Sequence, residues 1–264
     1  MRRVASLLIL SLLAASGGPA VAGQTACWFE NGAVIVPAAI GGMAGDYVLD
    51  LSAPRTLLHE TAAQRGGYAE TALTLPVDVA GQRVEAAPVA VRDLDYRGVG
   101  FFSPIIGVIG ADILDRYVLT LDFAPCRLGL ERPTTPPGGA TVDQAGALRV
   151  IMVGGVPTVF AAASDGRKGV SGPFALDTAS GGGVRARGAA DGPRQKPAGT
   201  LRALSLDGTL RQNLPAVIAG DLPDGVVGAL GVEVLSAYRL RLDPQTLGLW
   251  LTPKEKGPGV SAEP

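Results

Sequence analysis

The sequence predicts an all-β protein in which one β unit is used twice. Short apolar runs recur at intervals of about ten residues, broken by Gly, Pro, Asp and Asn. Turn formers are abundant, with 37 Gly and 20 Pro. Two stretches share one design: Tyr47-Val48-Leu49-Asp50-Leu51-Ser52-Ala53-Pro54 and Phe174-Ala175-Leu176-Asp177-Thr178-Ala179-Ser180-Gly181. In each, an apolar strand ends on a carboxylate and turns through small residues, and the two carboxylates stand 127 positions apart.

Taken in order, Met1-Arg2-Arg3, the apolar run from Val4 to Ala15 and the small residues Pro19 to Ala22 read as a secretory signal over 1–22. The alternative, a membrane anchor, would need about 20 apolar residues, so no stable membrane insertion is expected after cleavage. The remaining chain of about 240 residues suits one large β domain or two small ones. Hydrophobic residues make up 47% of the sequence and charged ones 18%, enough for a substantial core. The formal net charge of −1 points to neither nucleic acid nor acidic lipid as a partner. Export leads to the periplasm or beyond, an oxidising setting in which Cys27 and Cys126 can pair rather than remain separate buried thiols.

The predicted strands include Ala33 to Ile40, Asp46 to Asp50, Ala72 to Val79, Val84 to Val91 and Val118 to Phe123. Helical periodicity is confined to Thr56 to Gln64, Asp112 to Asp115 and Glu233 to Ser236. Gly81 and Gly208 each separate paired apolar runs, as hairpin turns do. The Pro- and Gly-rich residues 133–140 read as a linker, and residues 254–264 as a disordered tail. This divides the mature chain into 23–132 and 141–253.

The two parts align. The segment Gly107-Val108-Ile109-Gly110-Ala111-Asp112-Ile113-Leu114 matches Gly228-Ala229-Leu230-Gly231-Val232-Glu233-Val234-Leu235 without a gap, and Leu119 to Asp122 matches Leu240 to Asp243 at the same offset. Each half thus contains strand-Asp, a hairpin, an apolar Gly-x-x-Gly segment with an acidic residue, and strand-Asp. In these residues the chain resembles the retropepsin-like aspartic proteases, in their exported two-lobed bacterial form. The resemblance implies a pepsin/retropepsin-like β-barrel fold with two lobes related by a pseudo-twofold. It also implies a monomer with one site and a peptide or protein substrate.

On that resemblance Asp50 and Asp177 are the catalytic pair, supported by Ser52, Thr178, Ala179 and Ser180. Two adjacent carboxyls cannot both ionise cheaply, so they share a proton, and one acts as base while the other acts as acid. Such chemistry uses no metal or cofactor. A Cys–His dyad or zinc site has few candidates in a chain with one His, and His59 reads as a surface residue beside Glu60. The turns depart from the family's Asp-Thr/Ser-Gly: Ser52 and Ala179 replace the glycine, and Leu51 replaces a hydroxyl that would interlock with Thr178. For a flap over the cleft, the first half offers Gly66-Gly67-Tyr68. The second half offers the polar run Arg185 to Gly199, with Arg187, Arg194 and Lys196, which reads first as a solvated loop. Two functions remain open: an aspartic endopeptidase, or a protease-like envelope protein that binds peptides or proteins without cleaving them.

Overall fold

A computed structural model describes residues 23–133, 145–187, 196–219 and 222–254. The signal segment 1–22, the linker beyond Pro133, Arg194 and the tail from 255 lie outside the described residues. The first half runs β1 (Gly23–Ala26), β2 (Trp28–Glu30), β3 (Ala33–Ile40), β4 (Met43–Asp50), β5 (Leu57–His59) and α1 (Glu60–Arg65). It continues with β6 (Ala72–Val79), β7 (Gln82–Arg92), α2 (Asp95–Gly98), β8 (Ile105–Gly110), α3 (Ala111–Leu114), β9 (Val118–Phe123) and β10 (Cys126–Glu131). The second half begins with β11 (Leu148–Val153), β12 (Val156–Ser164), β13 (Gly169–Leu176), β14 (Val184–Arg187) and β15 (Lys196–Leu206). There follow β16 (Thr209–Ala219), β17 (Gly228–Leu230), α4 (Val232–Leu235), β18 (Tyr238–Asp243) and β19 (Gly248–Pro253).

The two halves repeat one pairing scheme. In the first, strands lie in the order β3-β4-β8-β5-β7-β6, and β6 returns to pair with β3. In the second, the order is β12-β13-β17-β14-β16-β15, and β15 returns to pair with β12. Each sheet therefore curls into a barrel-like lobe with few free edges. The register agrees residue for residue: Leu49 pairs with Ile109 as Leu176 pairs with Leu230. The hairpin turns fall where Gly81 and Gly208 place them. Ala80-Gly81 and Asp207-Gly208 have positive φ at both central positions, the geometry that suits a two-residue hairpin.

A six-stranded sheet joins the lobes, in the order β1-β10-β9-β18-β19-β11. Its central ladder pairs β9 with β18 antiparallel, Leu121 opposite Leu240 and Leu119 opposite Leu242. Because Leu119 and Leu121 are themselves the counterparts of Leu240 and Leu242, the ladder maps onto itself about Thr120 and Arg241. The pseudo-twofold passes through this point. Buried residues from both halves, among them Leu49, Ile109, Leu176 and Leu230, form one continuous core. Cys27 and Cys126 are joined by a disulfide 99 positions apart in sequence, and fasten the link between β1 and β2 to β10.

One expected element is corrected. The helical pattern over Thr56 to Gln64 is only half realised, because residues 57–59 form β5 and α1 starts at Glu60. Pairing of β5 with both β7 and β8 overrides the local helical preference.

Candidate active site

Matching strand ends bring the two aspartates to one cleft. Asp50 is the last residue of β4, and Asp177 directly follows β13, with its N–H donating to Leu230 O at 2.9 Å. The turns that follow are closed in the same way. Ala111 N donates to Ala53 O, and in the other lobe Val232 N donates to Ser180 O, so the α3 and α4 starts hold equivalent turn residues. The cleft between the lobes has a volume of about 670 Å³ and is lined by Asp50, Ser52, Asp177, Ala179 and Ser180, with Tyr96 and Leu222 on its walls. Its lobes touch beyond the aspartates at Gly32 and Gly181, where a Cβ on Gly32 would collide with the facing backbone.

Both carboxylates are almost fully withdrawn from solvent. Asp50 Oδ1 accepts from Ser52 N at 2.9 Å and from Ser52 Oγ at 2.6 Å. Asp177 Oδ1 accepts from Ala179 N at 3.0 Å, and the Ser180 hydroxyl also bonds to this carboxyl. Ser52 and Ala179 thus supply backbone donors to the two carboxyls, despite carrying a Cβ. Burial pushes the Asp177 carboxyl above the usual range; the Arg185 charge opposes this and the neighbouring Asp50 charge adds to it.

Beneath the pair, the interlock is half polar and half apolar. Thr178 Oγ1 accepts from Leu51 N at 3.1 Å and donates to Leu49 O at 2.6 Å, so the hydroxyl is satisfied without a partner hydroxyl on residue 51. The Leu51 side chain is buried instead, and lines a small recess with Ala111 and Asp115 of its own half and with Val150, Met152, Pro157, Leu242 and Leu247 of the other. The residue that departs from the family pattern therefore joins the lobes by burial.

The outer oxygens face arginines. Arg97 Nη1 donates to Asp50 Oδ2 at 2.7 Å. Arg185 Nη2 lies 2.6 Å from Asp177 Oδ2, a close charge pair without the alignment of a hydrogen bond. Burial disfavours the Arg97 charge, yet the Asp50 carboxylate outweighs it and holds the guanidinium firmly protonated. The arginines are not related by the pseudo-twofold. Arg185 sits in β14 opposite Ala229, where the first lobe has Leu57 opposite Val108; Arg97 comes from α2, in the connection between β7 and β8.

Two sequence expectations are corrected. Arg185 does not belong to a solvated loop: it is in a strand, with its side chain 13% exposed. Gly66-Gly67-Tyr68 is no flap, because Gly66 N and Tyr68 N donate back to Ala62 O and Ala63 O and wrap the end of α1. The residue that sequence reasoning missed is Arg97, and its only signal was a cation among the aromatic and glycine residues 96–102. His59 caps α1 and hydrogen-bonds to Asp95. Its Nδ1 accepts from Thr61 N, which leaves Nε2 as the donor to Asp95 Oδ1 at 3.0 Å. His59, Asp93 and Asp95 hold ligand-type atoms within 4.8 Å of one another.

No family model matches the sequence, and no curated protein matches it significantly. Among solved structures, an aspartic proteinase from Irpex lacteus superposes with a TM-score of 0.51 at 11% identity, over 88% of this chain and 98% of that one. A retropepsin-like aspartic protease from Rickettsia conorii aligns with a TM-score of 0.33 at 16% identity, over 43% of this chain and 94% of that one. The chain has the two-lobed fold of a pepsin-like aspartic proteinase. Among the described residues no helix is long and apolar enough to cross a membrane.

Proposed function

We propose that the chain is a peptide-bond hydrolase of the aspartic type, with Asp50 as base and Asp177 as acid. The observation that carries this reading is the delivery of two buried carboxyls to one cleft by strand ends in identical register. Asp177, with its raised pKa, takes the proton, which leaves Asp50 to act as the base. A water then gives its proton to Asp50 as its oxygen adds to the peptide carbonyl carbon, while Asp177 protonates the carbonyl oxygen. Collapse of the diol breaks the C–N bond; Asp50 passes its proton to the leaving nitrogen, and Asp177 recovers its own. Ser180 and the 179 amide orient Asp177, as Ser52 orients Asp50.

Residues 23–132 and 141–253 are read as the two lobes of a monomer, which acts on peptide or protein substrates after export. The Cys27–Cys126 bond supports an oxidising compartment such as the periplasm. The second reading, a peptide-binding protein that does not cleave, is favoured by the arginine held against each carboxylate.

Incubation with an unfolded, reduced protein across mildly acidic to neutral pH separates the two. General acid–base catalysis contributes about 10²–10⁴-fold, so Asp177→Asn or Asp50→Asn should lower cleavage by at least about 100-fold. Equal cleavage by wild type and either variant would overturn the peptidase reading. Peptide binding without cleavage by any of them would establish the second.

A further inference from the structure

The two arginines differ in how they are held. Arg185 belongs to β14, which is paired on one side with β16 and on the other with β17, so its backbone is fixed in the sheet beside Asp177. Arg97 belongs to residues 93–104, a connection that crosses the cleft wall with few anchors. Leu94 is buried in a small cluster with Ile35, Val48 and Val108. Phe101 packs against the same cluster, and the remaining ties are polar: Asp95 to His59, Asn31 Nδ2 to Val99 O at 2.8 Å, and Phe102 N to Glu30 Oε1.

Between those ties the segment is poorly packed. Tyr96 is 69% exposed, Val99 71% and Phe102 99%. Val99 and Phe101 line both the catalytic cleft and a neighbouring cavity of about 480 Å³, so the segment is a single layer with space on either side. Segments with few buried contacts and exposed hydrogen bonds open locally at low cost.

We propose that residues 93–104 are an inhibitory strap, with Arg97 as the group that silences Asp50. With the strap down, the guanidinium occupies Asp50 Oδ2, the oxygen that a water would otherwise approach. Lifting the strap removes Arg97, merges the cleft with the adjoining cavity and frees Asp50, while Arg185 stays on Asp177. This inference rests on the peptidase reading for its catalytic consequence, but control of access to Asp50 is independent of it.

The test uses two variants of the full chain. Arg97→Gln removes the charge. Asn31→Asp removes the donor to Val99 O, and Asp tolerates the positive φ of 47° at that position. Each is treated with a water-soluble carbodiimide and an amine nucleophile, and the amidation rates of Asp50 and Asp177 are followed by peptide mass spectrometry beside cleavage of an unfolded protein. Easier local opening should raise Asp50 labelling at least about fivefold in both variants, with Asp177 labelling unchanged as a control for the fold, and cleavage should rise in parallel. Asp50 labelling that stays at the wild-type rate in both variants overturns the strap. Faster Asp50 labelling without cleavage upholds the strap and overturns the peptidase reading.

Discussion

Asp50 and Asp177 occupy equivalent positions yet differ in their surroundings. Each has a backbone donor two residues on and a nearby serine, but Ser52 donates both its amide and its hydroxyl to Asp50. The raised pKa of Asp177 has a consequence for stability. A carboxyl whose pKa is higher in the folded than in the unfolded chain favours folding below the unfolded value of about 4 and loses that contribution as pH rises through the folded one. The stability of wild type relative to Asp177→Asn should therefore fall as pH rises above about 4, measured by urea unfolding at a series of pH values. A difference that does not change with pH would refute the raised pKa. Of these residues, Asp50, Ser52, Thr178 and Ser180 were legible in the sequence because they sit within a turn that occurs twice. Arg97 was not, because its contact spans 47 positions and no repeated sequence pattern marks its segment.

Among the elements, several strands were legible as apolar runs, alternating in β6 and continuous over the first half of β3. β3, β6 and β9 coincide with the runs expected from sequence. β5 was hidden because its three residues derive their conformation from parallel and antiparallel partners rather than from their own pattern. The absence of a flap hairpin in the first half follows from α1, which uses the chain between β5 and β6 as a helix and its cap. The disulfide acts at this scale too. It joins β10 to the link between β1 and β2, and Cys27 N also donates to Cys126 O. Replacing both cysteines by Ala should lower stability by about 4–5 kcal/mol in the chain-entropy treatment of so long a loop. Denaturant unfolding of the double variant checks this, and a loss below about 1 kcal/mol would mean that the unfolded chain is already restrained there.

At the scale of the whole molecule, the lobes share a core and a six-stranded sheet, so neither half is an independent unit. The chain should unfold in one transition. Its two tryptophans allow the check, since Trp28 is in β2 and Trp250 in β19. Trp28→Phe and Trp250→Phe leave one fluorophore in each half, and the two variants should report the same midpoint once corrected for their own stability changes. Separate midpoints would show that the lobes melt apart.

The self-matching ladder about Thr120 and Arg241 carries one more implication. A pair of identical subunits meeting along such an axis has to accept any mutation in both copies at once, so Leu at both grip positions or Thr at both would be the only choices. Covalent union lifts that restriction. Leu51 can be buried against apolar side chains of the other half while Thr178 clasps the opposite backbone, and one carboxyl can face an arginine from a strand while the other faces one from a connection. Asymmetry of this kind gives the two carboxyls separate surroundings before any ligand arrives.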